Sequence, residues 1–532
     1  MAVVVRKIVS VAIPVLGALL IAVGVVLLVA LPSIIRHQVI SNAPLRKDGT
    51  MTEKWANPQY NVQMQVYTYS VKNPNEVVEG AKPSLARKGP YTFRQRQRKE
   101  DIEFTNHSTV KYKNILTYTF DQDASCEGCD LSDTIWIPNI IYQKFVEAAS
   151  MPELKIAASA LISQTPFLEV NVSDALFRGY KDPFLDSVCS IPFMRFVCNQ
   201  ILNLPERIGF FYQKNATADG VYEIETGMAD LANIARVVSW KGHAKLPTKW
   251  WSSEEACVIN GTDGSLFHPY LSKTDTLPLF AAEMCRSIYL SFKEDMSYKG
   301  IDGYRFALPE QVMNTSLPEN AGYCNPLGKR YYSEAAQPGA CLPPGLLDIS
   351  RCQKGEPPVV MSLGNFLYAP DEVHESVLGV DRPNEETDQI TVDIEPTLGV
   401  LLQAQRQFQI NVAMWKGNNL EFPVDLSKFY SAVVPVLLVN ESVQMDEGTR
   451  QELQSRLFDV QKGVRTAGFL IIGSGTAVLV VSLLVIAVFY YAVIVRKSAE
   501  PSVNSRSAFS GLDNSSYSNA STMQQQPVTR VH

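Results

Sequence analysis

Two runs of the chain carry no charge, and the residues between them are patterned differently. Residues 466–495 are thirty positions without Asp, Glu, Lys, Arg or His, dominated by Leu, Ile, Val, Ala, Gly and Phe. Residues 8–35 form a second uncharged run, of twenty-eight. An α-helix rises about 1.5 Å per residue, so about twenty apolar residues cross a bilayer core of about 30 Å. A globular helix of this length would carry a polar face. Each run therefore predicts a spanning helix. The first is too long for the apolar core of a secretory signal, about 7–15 residues, and predicts an uncleaved signal-anchor. Pro14 and Pro32 lie towards its ends, where neighbouring groups in a membrane tolerate a kink.

Arg6 and Lys7 precede the first run, and Arg496 and Lys497 follow the second. Flanking cations mark the cytosolic side. Residues 1–7 and 496–532 are thus predicted to be cytosolic tails and residues 36–465 an extracellular or luminal domain, although Arg36, Lys462 and Arg465 stand on the opposite flanks. The second tail is rich in Ser, Asn and Gln and predicts disorder.

Between the runs the period changes to two. Val62, Met64 and Val66 alternate with Gln63 and Gln65, and Phe408, Ile410, Val412 and Met414 alternate near the other end. That period predicts strands with one buried and one wet face. Residues 67–71, 109–120, 359–363 and 433–439 are further β-rich runs. Asn73-Pro74, Gly89-Pro90, Asp182-Pro183 and Gly261-Thr262-Asp263-Gly264 punctuate as turns. Residues 137–163 have few breakers and predict a helical insertion, and 449–461 a helix leading into the second span. The fold class is mixed α+β, mainly β, as one large domain.

The net charge of −6 argues against a nucleic-acid partner, which requires a basic face. All nine cysteines lie in the domain: Cys126, Cys129, Cys189, Cys198, Cys257, Cys285, Cys324, Cys341 and Cys352. That placement fits an oxidising compartment. Cys126-Glu127-Gly128-Cys129 reads as a local disulfide, since it lacks a second pair at zinc spacing and the surroundings of a redox fold. Cys189 and Cys198 can close another small loop, and an odd total leaves one thiol over. Six acceptor sequons for N-glycans lie between the spans, at Asn106, Asn171, Asn215, Asn260, Asn314 and Asn440, which supports the same topology. Asn514 and Asn519 match as well, but fall in the cytosolic tail. Catalytic signatures are missing. There is no Gly-x-Ser-x-Gly, and Leu378 stands where a zinc-protease helix beginning at His374-Glu375 needs its second His. The expectation is a non-enzyme without cofactor or metal.

Several short words then carry a family resemblance. They are Asn73-Pro74-Asn75-Glu76-Val77, Gly89-Pro90-Tyr91-Thr92-Phe93-Arg94, Gly179-Tyr180-Lys181-Asp182-Pro183-Phe184-Leu185 and Thr217-Ala218-Asp219-Gly220-Val221-Tyr222. In the same order follow Ile259-Asn260-Gly261-Thr262-Asp263-Gly264, Cys285-Arg286-Ser287-Ile288-Tyr289, Leu347-Asp348-Ile349-Ser350-Arg351-Cys352 and Asp393-Ile394-Glu395-Pro396. With the two spans, this series resembles the class B scavenger receptor family, and its wording looks nearer to the platelet glycoprotein branch than to the lysosomal one. The resemblance implies an antiparallel β-barrel-like ectodomain topped by a helical apex at residues 137–165. It also implies a lipid-lined tunnel, and lipids or lipoproteins as partners: fatty acids, sterols and phospholipids at a plasma membrane, or alternatively an endolysosomal one.

By position, the resemblance pairs Cys285 with Cys352 and Cys257 with Cys324. Cys341 is then the odd thiol, unless it takes Cys324 as a local partner. The basic residues that the platelet branch carries on its apex helix are absent at Leu161-Ile162-Ser163-Gln164. Lys144 and Lys155 are the nearest substitutes, hence the candidate ligand contacts. No histidine falls in the apex run, so a pH switch there is unsupported. A His often found after Pro383-Asn384-Glu385 is replaced by Asp388. Gly473 and Ala477 have the small-residue spacing that permits span–span packing, and a homo-oligomer is a further partner expectation. The same topology also suits an adhesion, pattern-recognition or lysosomal sorting receptor without transport, or a two-span ligand-gated channel.

Overall fold

The computed structural model of the protein describes residues 2–105, 108–196, 198–199, 203–324, 341–418 and 420–499. Asn106 and the tail sequons lie outside these residues. The chain divides into two units, Met1–Val29 with Gly463–His532, and Ala30–Lys462.

The first unit holds the apolar parts of two long helices, Ala2–Asn42 and Asp459–Ser498. Their apolar windows are only 11% and 6% buried, so most of their side chains face outward, where a bilayer would cover them. The helices meet at glycines seven residues apart on each. A Cβ on Gly24 would lie 2.9 Å from the Gly468 carbonyl oxygen, and one on Gly475 would lie 2.8 Å from that of Gly17. Backbones approach this closely only where side chains are absent. The seam expected at Gly473 is not used: a Cβ there would meet nothing within 4 Å. Helical rotation turns Gly473 away from the face shared by Gly468 and Gly475.

Among its described residues, the second unit has fifteen strands: β1 (Tyr60–Val71), β2 (Leu85–Thr105), β3 (Thr109–Phe120), β4 (Thr134–Pro138), β5 (Phe167–Asn171), β6 (Thr217–Glu225), β7 (Val237–Trp240) and β8 (Thr276–Ala281), followed by β9 (Arg286–Tyr298), β10 (Ile301–Ala307), β11 (Leu346–Asp348), β12 (Val359–Leu363), β13 (Thr391–Glu395), β14 (Val400–Met414) and β15 (Ala432–Met445). Thirteen of them form one sheet, in the order β7-β6-β3-β2-β1-β15-β14-β13-β10-β9-β8, with β12 beside β14 and β11 beside β12. The first and last strands of the domain pair directly, from Tyr60↔Met445 to Thr68↔Leu437.

The two edges of this order, β7 and β8, are bridged by one segment. Val237 N–H donates to the Gly261 carbonyl, Thr262 N–H to Pro278, and Phe280 N–H back to Thr262, each at 2.9 Å. The sheet thereby becomes nearly a barrel, with few unpaired edge groups. Gly261-Thr262, expected as part of a turn, is instead this closing staple. Gly261 has φ +96°, and a Cβ on it would fall 2.3 Å from the Pro278 carbonyl carbon, so the close approach requires glycine. Gly89-Pro90 is likewise not a turn. It lies within β2, beside a register shift against β1 at Val66/Thr68.

The expected helical run splits. Ile140–Ala149 is an α-helix and Pro152–Ser163 a 3₁₀ helix, lying between the paired strands β4 and β5. The split falls at Ser150, whose hydroxyl turns back to the Val146 carbonyl at 2.8 Å, and Pro152 cannot continue the ladder. On the outer face of β14, Asp388 is buried and accepts from Gln407 Nε2 at 2.5 Å, Asn365 Nδ2 at 3.0 Å and the Asn384 amide at 2.8 Å. At this position the acid ties a covering loop to the wall.

Four disulfides are present: Cys126–Cys129, Cys189–Cys198, Cys285–Cys352 and Cys324–Cys341. The pairing of Cys257 with Cys324 is therefore corrected. Cys341 returns to within 5.0 Å (Cα–Cα) of Cys324, 17 residues on, and closing such a loop restrains the unfolded chain by roughly 3 kcal/mol. Cys257 is left as a buried free thiol, its Sγ 3.6 Å from the Pro247 carbonyl, and burial raises its pKa.

Two outcomes follow. Gly475→Leu should destabilise the detergent-solubilised protein by about 1–3 kcal/mol, while Gly473→Leu leaves its thermal midpoint unchanged. Alkylation under denaturing, non-reducing conditions should label Cys257 alone. Peptide mapping that finds Cys341 alkylated would refute the pairing.

Candidate functional site

The register of the barrel decides which side chains face inward. Across β1, β15 and β14, Val66, Val439 and Phe408 lie opposite one another; next come Met64, Glu441 and Arg406, then Val62, Val443 and Ala404. Phe93 and Phe120 continue the level of Met64 onto β2 and β3. Met64, Val66, Phe93, Val439 and Phe408 are buried in the main core, whereas Gln63, Arg94 and Gln444 on the opposite face are exposed. This set is therefore the inner lining.

Midway along, the lining is not filled. Val62, Gln95, Tyr118, Ala404 and Val443 point inward yet are only half-buried. A charged strap occupies the adjacent level, that of Met64. Arg406 donates from Nε to Glu441 at 2.8 Å, pairs with Glu441 again through Nη2, and pairs with Glu283 through Nη1. Arg406 and Glu283 keep 40% and 41% of their side-chain surface exposed, against 9% for Glu441. Burial, and next to it the Glu441 carboxylate, hold the Tyr118 phenol well above its usual pKa. A narrow cleft with about 10 Å³ of accessible space, room for one water, adjoins the strap, lined by Met284, Met313, Met361, Ile390 and Phe408 together with Glu283 and Arg406.

Beside the strap, Phe177 packs on Phe93 at 5.1 Å, on Tyr118 at 5.2 Å and on Phe211 at 5.6 Å. Beyond it lies the helical cap. Gln143 accepts from the Trp415 amide at 3.0 Å, just past the end of β14, and Ser70 near the end of β1 accepts from the Trp136 amide at 3.0 Å. The cap thus closes the end opposite to that where β1 begins. Towards the other end, Lys99 is buried against Trp55 and Tyr112, its Nζ 4.9 and 5.4 Å from the ring centroids. Burial lowers its pKa, with Asp263 opposing.

The two lysines singled out in the cap have opposite surroundings. All ten residues of Ile140–Ala149 are buried. Lys144 lies among them, its Nζ 3.1 Å from Glu147, and both side chains are 9% exposed. It is a packed ion pair rather than a surface contact, which corrects the expectation for it. Lys155 is exposed. It adjoins Ile156, Ser159 and Ile162, three exposed residues at the three-residue spacing that aligns them on a 3₁₀ helix. The row is two isoleucines with one small hydroxyl between them. Ile156 and Ile162 are 67% and 65% exposed. Among the sequons, Asn171, Asn215 and Asn260 are exposed and Asn314 and Asn440 half-buried.

The strap was missed in the sequence, although a signal exists. Extending the alternation of Phe408, Ile410, Val412 and Met414 back by two residues reaches Arg406, a cation on an inward position.

Comparison with known proteins agrees with this architecture. The family model described as the CD36 family matches residues 15–486. Lysosome membrane protein 2 of Homo sapiens is 32% identical over 448 residues, 83% of this chain and 87% of the relative. Scavenger receptor class B member 1 of Mus musculus is 28% identical over 476 residues, 88% of this chain and 87% of the relative.

Removing one partner of a buried pair strands the other. Lys144→Ala should therefore cost about 3–5 kcal/mol, whereas Lys155→Ala stays within about 0.5 kcal/mol. Thermal unfolding of the two variants checks this; equal losses would contradict the assignment.

Proposed function

The chain belongs to the CD36 family, and we propose that it binds lipid at its cap and passes it down the inside of the barrel to the bilayer. It is a two-pass membrane receptor related to the class B scavenger receptors. Lipid conduction is the further step. The observation that carries it is the half-buried inner wall of Val62, Ala404 and Val443, below a cap that exposes two aligned isoleucines.

The physical case is one of solvation. Each methylene exposed to water costs about 0.8 kcal/mol, so an acyl chain or a sterol needs a covered route. Ile156 and Ile162 supply apolar contacts for a lipid or lipoprotein surface, and Lys155 a cation for an anionic head group. Fatty acids, sterols and phospholipids are the partners of this reading, at the plasma membrane or an endolysosomal membrane. Asn171, Asn215 and Asn260 carry N-glycans in it, on the luminal side between two cytosolic tails.

The test is to fill the lining. Ala404→Trp should abolish uptake of a fluorescent lipid into cells while lipoprotein binding at the surface persists. Uptake equal to wild type would refute conduction and leave a docking surface alone.

A further inference from the structure

We infer that the outer face of β1 and β2 is a docking surface for a sulfated polysaccharide, held by the row Arg94, Arg96 and Arg98. This surface lies on the outside of the barrel wall and is independent of lipid conduction.

Residues 94–99 read Arg-Gln-Arg-Gln-Arg-Lys, four cations in six positions. Such runs mark polyanion patches. The strand's period of two divides this one. Lys99 turns inward and is buried against Trp55 and Tyr112. Arg94, Arg96 and Arg98 stay exposed on the outer face, about 6.7 Å apart along the strand. Two of them are held in place without being used up. Arg94 donates through Nε to Asp121 at 2.5 Å and keeps 72% of its side chain exposed. Arg98 donates through Nε to Glu100 at 2.5 Å, an exposed pair of little net worth that an incoming anion can replace. Arg96 has no ion pair among the described residues. The Nη forks of all three are left to solvent.

What lies beside the row sets the ligand. Gln63 stands opposite Arg94, Ser442 opposite Gln63, and Gln444 opposite Asn61. Asn61, Gln63 and Gln444 are exposed, and their amides make no side-chain hydrogen bond among the described residues. Amides donate to and accept from hydroxyls, while guanidinium forks clamp oxyanions. A sugar polymer with sulfates at intervals offers both groups. Asn61, Gln63, Ser442, Gln444 and Thr119 give the face no apolar anchor, so a lipid surface has nothing to bury there. Glu100, Asp101 and Glu103 follow on β2 and bound the basic stretch at one end.

The experiment passes the full-length protein, in phosphatidylcholine nanodiscs, over immobilised heparin and over desulfated heparin. Wild-type protein should bind heparin, more weakly as salt rises, and should not bind the desulfated chain. Arg96→Gln combined with Arg98→Gln leaves the mostly buried Asp121 with its partner, so the thermal midpoint should hold. The double variant should bind heparin at least about tenfold more weakly, the worth of one charge-assisted contact. Lys155→Gln, on the cap, should bind as wild type does. Equal heparin affinity in the double variant and wild type overturns the site. So does wild-type protein that binds no heparin, or binds both chains alike. Loss of binding in Lys155→Gln would put the polyanion on the cap instead. Phosphatidylserine vesicles that bind wild type but not the double variant would make the face a lipid dock and overturn the polysaccharide.

Discussion

The pairing of the domain's first strand with its last organises the rest. A sheet must hydrogen-bond every strand or leave a row of unpaired backbone groups. Here β1 and β15 satisfy each other from Tyr60↔Met445 onward, so the chain enters and leaves the domain at neighbouring points. The remaining edges, on β7 and β8, are joined by backbone bonds through Gly261 and Thr262. Closure turns one face of every strand inward, and strand register then decides which side chains share a level.

An interior made this way is not uniform. Towards the cap it is apolar and full, with Val66, Val439 and Phe408 buried. At the level of Arg406 it is charged, and one level further on Val62, Ala404 and Val443 are only half-buried. A second small apolar cluster follows, of Tyr298, Ile301, Leu402 and Met445. Charge on an inner wall is tolerated because each group is answered: Arg406 by two carboxylates, and Lys99 by two aromatic rings.

The cap illustrates how burial, rather than residue type, assigns a role. Lys144 and Lys155 lie eleven residues apart in one helical stretch. One is locked against Glu147 inside; the other stands at the surface beside Ile156. The break at Ser150 and Pro152 separates them, reorienting the chain between the α-helix and the 3₁₀ helix.

Local pattern was enough for the elements whose physics is local. Two uncharged runs determined the spanning helices, because a bilayer accepts nothing else of that length. Alternation marked β1 and β14, because one wet face and one dry face require period two, and β-rich composition marked β3, β12 and β15. The series of short words carried the family and with it the barrel. What depends on who meets whom stayed hidden. Cys324 paired with Cys341, the alternative that the resemblance left open, and Cys257 stayed alone. The spans chose Gly17, Gly24, Gly468 and Gly475 over Gly473, because helix rotation is set by the partner. Glu283 met Arg406, 123 residues away, only once the sheet had curled. Periodicity states that a side chain faces inward, but only the closed barrel places another charge opposite it.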